Sequence, residues 1–297
     1  MVSMTILAAL AATTTVVQGH FTFVRIAHNG IWQHPTRYIR NKTAPFNETW
    51  FNQPGLGPYH GYNFPTEYVN LPESVRCGRD NMAHAADTEV LRVAAGDEIE
   101  FAHQRYEPEE WTDDMFYGCP EGRGTCHKYG MDINHPGPVM AFLSPVPKGV
   151  DVREYGGAGE WTKIYTLGFR YRKNETLKVD WLAYNWEKTP VPRFAFKIPP
   201  QTPSGQYLLR MDLIWAYSLA GGAQMYPSCA HIDVSGISTG QLPAGVQIPE
   251  IFSPDSPGMT LSWEMGNQYS VDANYSHPGG PLWDGEKLVP DKPVIGE

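Results

Sequence analysis

The sequence lacks the short signatures of the zinc hydrolases and of the common nucleotide-binding enzymes. It has no HExxH zinc motif, no GxxxxGK[ST] phosphate loop and no GxGxxG after a strand. These absences exclude several familiar enzyme classes.

Long apolar runs and an excess of positive charge are also lacking. No window of eighteen apolar residues occurs, so a transmembrane helix is not expected. The 23 Lys and Arg residues are outnumbered by 32 Asp and Glu residues, which gives a net charge of −9. Because nucleic acids and acidic membranes attract basic surfaces, we expect neither as a partner. We also expect the protein to be a monomer.

The amino terminus has the pattern of an export signal. Its first nineteen residues carry no charged side chain and include a short apolar stretch from Ile6 to Ala12. Val17 and Gly19 stand at the minus-three and minus-one positions before His20, a small-residue pattern typical of cleavage by signal peptidase. We predict that residues 1–19 are a secretory signal peptide and that the mature, extracellular chain begins at His20.

Four N-x-[ST] sequons are in keeping with export, because such asparagines are glycosylated only in the secretory pathway. The predicted glycosylation sites are Asn41, Asn47, Asn174 and Asn274.

Cysteine is scarce, with four residues and no CxxC pair. In an oxidising compartment an even number of cysteines predicts disulfides rather than a metal cluster, and four cysteines allow three pairings. We favour Cys119 with Cys126, which closes a small loop, and Cys77 with Cys229, which ties an early segment to a late one.

The 29 Gly and 26 Pro residues interrupt the chain too often for a helical bundle, and period-two alternation dominates its second half. The alternating apolar positions are Leu177, Val179 and Trp181; Phe194, Phe196 and Ile198; Tyr207 to Trp215; and Ala230, Ile232 and Val234. Another two extended segments, Thr88 to Val93 and Glu98 to His103, flank an AAGD turn. The pattern predicts an all-β fold, an antiparallel sandwich of the immunoglobulin-like or fibronectin-like kind with long irregular loops. We expect one domain over residues 20–297, with the stretch from about residue 241 wrapped over the sandwich.

Histidine is the main candidate for chemistry. An amino-terminal His20 would offer both its α-amine and its ring Nδ1 to one metal ion, since the reference pKa of a free α-amine is about 8. His135 stands in INHPGPVMAFLS, where two prolines stiffen the backbone before an apolar strand. One more imidazole opposite His20 completes three nitrogens in a plane, which Cu(II) prefers among the divalent metals. The sequence therefore predicts copper as a cofactor.

Several segments in a fixed order resemble one family. They are HFTFVRIAHNGIW, SVRCG, TEVLRVAAGDEIEF, HPGPVMAFLS, EWTKIYTLG, PSGQYLLRMDLIWAY, GGAQMYPSCAHIDVSG and IPEIFSPDSPGMTLSW. The chain resembles the fungal lytic polysaccharide monooxygenases of auxiliary activity family nine, formerly glycoside hydrolase family 61, over nearly its whole mature length.

The resemblance implies a copper site of the histidine-brace type. It assigns the amine and Nδ1 of His20 and a nitrogen of His135 as ligands, Tyr226 as the axial group and Gln224 as a hydrogen-bond donor beside the oxygen site. The implied activity is oxidative cleavage of β-1,4-glucan, cellulose or a related polysaccharide, with an external reductant and O2 or H2O2. Tyr275 is the implied substrate-stacking residue in the C-terminal wrap.

The sequence departs from that family at two places. Tyr217 stands where relatives have a histidine that lines the oxygen site, and a phenol cannot carry protons near neutral pH as an imidazole can. His231 is the possible substitute, although its strand parity differs from that of Tyr226. The second departure is a long segment between His103 and Asn134, with acidic residues at Glu107, Glu109, Glu110, Asp113 and Asp114.

These departures leave two alternatives open. The first is a copper-binding or glycan-binding cell-wall protein that keeps the histidine brace and has weak or no oxygenase activity. The second is a classical hydrolase that uses the acidic segment as acid and base.

Overall fold

The computed structural model describes residues 19–44, 46, 48, 61–117, 133–184 and 192–295. The predicted signal peptide up to residue 18, the Cys119–Cys126 pair and the Asn47 sequon lie outside these residues. Within them, no helix has the length and apolar character needed to cross a membrane.

Strands dominate the described residues, and the α-helices are short. The strands are β1 (Thr22–His28), β2 (Ile31–Trp32), β3 (Leu91–Ala94), β4 (Glu98–Gln104), β5 (Val139–Pro145), β6 (Thr162–Leu167), β7 (Phe169–Tyr171), β8 (Val179–Trp181), β9 (Phe194–Lys197), β10 (Gly205–Trp215), β11 (Gln224–Met225), β12 (Ser228–Ser235), β13 (Leu282–Trp283) and β14 (Leu288–Val289). The α-helices are α1 (Pro72–Cys77), α2 (Asp113–Tyr117) and α3 (Trp263–Gly266). Short 3-10 helices cover Asn81–His84, Pro108–Glu110 and Glu250–Phe252.

Two sheets form the sandwich. The smaller has the order β2-β1-β4-β9, and all its pairs are antiparallel. The larger has the order β14-β13-β6-β5-β10-β12-β3, with β11 added beside β10. Its pairs are antiparallel except for β12 with β3 and β13 with β6, which are parallel. The predicted all-β, immunoglobulin-like sandwich is confirmed, with these two parallel pairs as exceptions to its antiparallel character.

The central strand β10 explains how the core is divided. Its odd-numbered residues, such as Leu209 and Leu213, face the smaller sheet and join the core between the two layers. Its even-numbered residues, such as Leu208 and Ile214, face a second core under the C-terminal stretch, with Phe252 and Met265. Because successive side chains of a strand point to opposite faces, one long strand serves both cores.

The two segments around the AAGD turn are both strands, but they belong to different sheets. β3 pairs with β12 in the larger sheet, and β4 pairs with β1 and β9 in the smaller one. Gly96, with a φ of 97°, adopts the left-handed conformation that glycine tolerates best. The turn therefore carries the chain across the sandwich instead of closing a hairpin.

A disulfide joins Cys77, at the end of α1, to Cys229 in β12, as the sequence predicted. Their Cα atoms are 5.0 Å apart, across a sequence separation of 152 residues. The bond fixes α1 against the face of the larger sheet that carries the even-numbered residues of β10.

Candidate metal centre

Three aromatic side chains converge where the two sheets meet at one end of the sandwich. His20 precedes β1 in the smaller sheet, whereas His135 precedes β5 and Tyr226 follows β11 in the larger one. The ring centroid of His135 lies 5.7 Å from that of His20 and 5.7 Å from that of Tyr226. The ring centroids of His20 and Tyr226 are 6.2 Å apart. The sandwich thus brings together three residues that are far apart in sequence.

His135 is held by the backbone around it. A Cβ added to Gly137 would lie 2.0 Å from the carbonyl oxygen of Ile214, so only glycine fits at this approach to β10. The Ile214 N–H donates to the carbonyl oxygen of Pro138 at 3.2 Å. The rigid HPGP segment is therefore fixed to the end of β10.

The imidazole of His135 has the properties of a metal ligand. It is 8 % exposed, and its Nε2 has no hydrogen-bond partner among the described residues. Burial, with smaller contributions from His20 and Arg105, lowers the pKa of His135 to about 3. The ring is neutral near pH 7, as coordination of a metal requires, and no hydrogen bond competes for its Nε2.

His20 has a similar environment. Burial first, and then the charge of Arg79, lowers the pKa of its imidazole to about 4. Its ring contacts that of Phe64, with centroids 4.7 Å apart. Both imidazoles are therefore neutral at physiological pH, which fits a copper-binding pair.

Tyr226 is buried and positioned by polar contacts. Its hydroxyl donates to Oε1 of Gln224 at 2.8 Å, and its backbone N–H donates to Oδ1 of Asp212 at 2.6 Å. Its ring stacks on Phe21 at 4.4 Å. Burial, with a smaller contribution from Tyr217, raises the pKa of the Tyr226 phenol well above its usual value, so the phenol stays neutral.

A buried ion pair supports Tyr226 from the second core. Arg210 Nη2 lies 2.6 Å from Asp212 Oδ2, and neither side chain is exposed. Arg210 also donates from Nε to the carbonyl oxygen of Arg76 in α1 at 2.8 Å. These contacts link the backbone of Tyr226, through Asp212 and Arg210, to the helix that the Cys77–Cys229 disulfide anchors.

No group of three or more His, Cys, Asp or Glu side chains in the described part of the chain is arranged to hold a metal ion. The predicted set of two imidazoles and one main-chain amine is not a group of this kind.

Comparison with known proteins identifies the family. The sequence model of Auxiliary Activity family 9 (formerly GH61) matches residues 20–275. The chain belongs to this family. AA9 proteins are copper enzymes that cleave polysaccharides oxidatively, so the chain is assigned to polysaccharide monooxygenase chemistry in general.

Its similarity to individual AA9 proteins extends over nearly the whole chain. It is 29% identical over 278 residues to AA9 family lytic polysaccharide monooxygenase G of Aspergillus tamarii, a match that covers 93% of this chain and 69% of that protein. It is 27% identical over 281 residues to AA9 family lytic polysaccharide monooxygenase C of Emericella nidulans, a match that covers 94% of this chain and 96% of that protein. The extended catalytic domain of H. jecorina LPMO9A, also called EG4, superposes with a TM-score of 0.57 at 23% identity, covering 94% of this chain and 95% of that structure. The last likeness concerns the fold alone.

Tyr217, where we expect a departure from the AA9 pattern, lies next to residues of the candidate centre and is half-buried. Its ring centroid is 5.0 Å from that of Trp215, whose indole stacks on His135. His231, the substitute considered for a histidine at position 217, is poorly placed for that role. It is fully buried in β12, and its Nε2 accepts a hydrogen bond from Arg40 Nε at 2.7 Å.

The structure corrects the expectation for Tyr275. Its side chain is only 8 % exposed, and its ring packs in the second core near Phe169 and Trp181, with centroids 5.9 and 6.2 Å away. Its hydroxyl lies 3.2 Å from Nδ1 of His277. A ring covered in this way cannot offer a face to a sugar.

The acidic segment has a structural use at its start. Glu107 accepts hydrogen bonds from the N–H of Tyr62, and Glu110 accepts one at 3.1 Å from the N–H of Glu107. The second contact belongs to the capping box of the turn that begins at Pro108, and the first joins this turn to Tyr62. They support a loop-closing role for the two carboxylates and give the hydrolase alternative no support.

Three of the predicted glycosylation sites lie in described residues. Asn174 and Asn274 are exposed. The Asn41 side chain is partly engaged, because its Oδ1 accepts a hydrogen bond from the Tyr62 hydroxyl at 2.6 Å. Glycosylation remains a prediction, with Asn174 and Asn274 the more accessible sites.

Sequence reasoning missed three residues that shape the centre, namely Trp215, Asp212 and Phe64. The alternation of β10 carried a signal for Trp215, because it places the indole on the same face as Leu213 at the end of the strand. Phe64 lies in an irregular aromatic segment whose spacing gave no comparable signal.

Proposed function

We propose that the chain is a secreted copper-dependent monooxygenase that oxidatively cleaves β-1,4-glucan, such as cellulose. The α-amine and Nδ1 of His20 and Nε2 of His135 would hold the copper ion, and the Tyr226 hydroxyl would be a further protein group facing it. The observation that carries this proposal is the buried, unpartnered Nε2 of His135 beside a second neutral imidazole. Family membership in AA9 supports the same chemistry.

The position of Gly19 supports cleavage before His20. A Cβ added to Gly19 would lie 2.6 Å from Nε2 of His135, so the residue ahead of His20 passes directly against the proposed ligand atom. Removal of residues 1–19 clears this space and also frees the α-amine. We therefore propose that the exported, cleaved protein is the form that binds copper.

Copper bound there supplies the one-electron chemistry that activates O2 or H2O2 once an external reductant has acted. The protein residues orient hydrogen-bonding groups at the site and exclude water from it. Tyr226 stays a neutral phenol and uses its proton in the bond to Gln224 Oε1. The amide nitrogen of Gln224 then remains a hydrogen-bond donor for oxygen or peroxide that enters the site. Phe21 and Phe64 keep water from the inner side of the centre.

A pair of exposed aromatic rings is the substrate contact that we propose in place of Tyr275. Trp263 and Tyr269 are 60 % and 42 % exposed, and their rings stack with centroids 5.8 Å apart. The segment that leads into Trp263 is joined to the end of β10, because the N–H of Leu261 donates to the carbonyl oxygen of Tyr217 at 3.3 Å. Flat exposed rings suit the CH faces of a glucan chain.

The rival function, a copper-binding or glycan-binding wall protein with weak oxygenase activity, rests on Tyr217. The variant Tyr217→His separates the two functions. A large gain in oxidative turnover, with copper affinity unchanged, would favour the rival for the natural protein. Unchanged or lower turnover would favour the oxygenase.

Titration of the metal-free mature protein with Cu(II) tests the ligand set. We expect tight, one-to-one binding that His135→Ala abolishes, whereas His34→Ala, at an exposed histidine, leaves the affinity unchanged. A variant that keeps Gly19 ahead of His20 should also lose tight binding. Unchanged affinity in His135→Ala would overturn the proposed ligand set.

A further inference from the structure

One face of the proposed ligand His135 is covered by an indole. The ring centroids of His135 and Trp215 are 4.1 Å apart, and their planes differ by only 12°. The neighbouring rings of His20 and Tyr226 are both 5.7 Å from His135 and more tilted. Trp215 therefore makes the closest and flattest ring contact of His135 within the described residues.

The indole is itself fixed in place. Trp215 is the last residue of β10, and it pairs across the ladder with Gln224 of β11. It packs against the core between the sheets, and its centroid is 5.0 Å from that of Tyr217. The indole against which His135 stacks is therefore the side chain of a strand residue and not of a loop residue.

The backbone and the indole restrict different motions of His135. The contact of Gly137 with the carbonyl oxygen of Ile214 fixes the main chain. This contact leaves the imidazole free to rotate about its Cβ–Cγ bond. A quarter turn would drive the ring edge into the indole, so stacking at 4.1 Å keeps the ring in one plane.

In that plane the Nε2–Cε1 edge of the imidazole faces the junction between Gly19 and His20. Both Nε2 and Cε1 of His135 lie 2.6 Å from a Cβ added to Gly19. The plane of the ring therefore decides whether this edge, which carries Nε2, faces His20.

We propose that Trp215 is a positioning residue of the metal centre, whose indole holds the His135 imidazole in the plane that turns its Nε2–Cε1 edge towards the copper ion. This inference rests on the proposed function, because it takes His135 as a copper ligand. Without the indole, metal binding itself must order the ring. Ordering of one side chain corresponds to an affinity loss of about three- to tenfold.

The test compares the mature wild-type protein with Trp215→Ala and Trp215→Phe. Trp32→Ala is the matched control, because Trp32 is also half-buried but lies in β2 at the edge of the smaller sheet. In the metal-free proteins, NMR of the imidazole protons reports the stack, since an indole face shifts those of His135 upfield. Competition with a chelator gives the Cu(II) dissociation constant, and electron paramagnetic resonance reports the coordination geometry.

We expect Trp215→Ala to move the His135 signals downfield, to raise the Cu(II) dissociation constant about three- to tenfold, and to give a heterogeneous paramagnetic spectrum. Trp215→Phe, which keeps a stacking ring and serves if the alanine variant does not fold, should lie between it and the wild type. Trp32→Ala should match the wild type in all three readouts.

Two results would overturn the inference, and they are distinguishable. Wild-type affinity and an unchanged spectrum in both folded Trp215 variants would refute the positioning role and leave the proposed function intact. Failure of the wild-type protein to bind Cu(II) tightly would refute the proposed function and the inference with it.

Discussion

The disulfide between Cys77 and Cys229 should contribute a large share of the stability of this protein. It closes a loop across a sequence separation of 152 residues. For a loop of this length, loss of chain entropy in the unfolded state corresponds to about 5 kcal/mol at 25 °C. Native disulfides of small secreted domains contribute about 2–5 kcal/mol, so we expect Cys77→Ser with Cys229→Ser to lower the free energy of unfolding by that amount.

The structure also predicts a local effect of this substitution. The carbonyl oxygens of Val75 and Arg76 in α1 accept hydrogen bonds from Arg210, which pairs with Asp212. If α1 is no longer anchored, these contacts open more readily. Hydrogen exchange at the N–H of Tyr226, which donates to Asp212, should therefore become faster in the double variant.

Urea denaturation of the metal-free mature protein measures the effect on stability. The double variant should show a lower midpoint than the oxidised wild-type protein. Reduced wild-type protein is the control for the packing of the two sulfur atoms, because in reductant it should match the variant. Equal unfolding free energies for the oxidised wild type and the variant would refute the reasoning.

Three further predictions follow from the buried polar groups. Burial lowers the pKa values of His231 and His277 to about 3 and about 4, so the unfolded chain binds more protons below pH 6.5. The free energy of unfolding should therefore fall from pH 6.5 to pH 5, by up to about 1.4 kcal/mol per pH unit for each residue; a flat urea-denaturation profile would contradict this. Asp212→Ala leaves the Arg210 charge buried alone and should cost about 3–5 kcal/mol in the same assay, whereas Asp212→Asn keeps an acceptor and should cost less. Because both imidazoles of the centre are already neutral, the logarithm of the Cu(II) affinity should rise with a slope of about one between pH 5.5 and 7, from the α-amine alone; a slope near three would contradict this.

Periodicity predicted the strands well where one strand had one consistent environment. The alternation of Tyr207 to Trp215 predicted β10, since its odd-numbered side chains all enter the core between the sheets. Alternation does not indicate, however, which strands pair with each other. The segments around the AAGD turn were correctly identified as extended, but only tertiary packing assigns β3 and β4 to different sheets.

At the candidate site, too, local sequence predicted some features and only tertiary packing decided others. His20 could be singled out from the predicted cleavage site and His135 from the two prolines and the glycine that restrict its backbone, whereas the resemblance to AA9 gave Tyr226 and Gln224 their roles. The burial of Tyr275 was not visible in the sequence. It depends on Phe169 and Trp181, which are distant in the chain and cover the ring only once the C-terminal stretch has folded onto the larger sheet.

Mass spectrometry of soluble products tests the proposed activity most directly. The copper-loaded mature protein is incubated with amorphous cellulose and other β-glucans, with and without ascorbate, and His135→Ala is the control. The proposed function predicts oxidised oligosaccharides from the wild-type protein only when copper and reductant are both present. Absence of oxidised products across the panel with copper still bound, or cleavage that persists in a chelator, would contradict it.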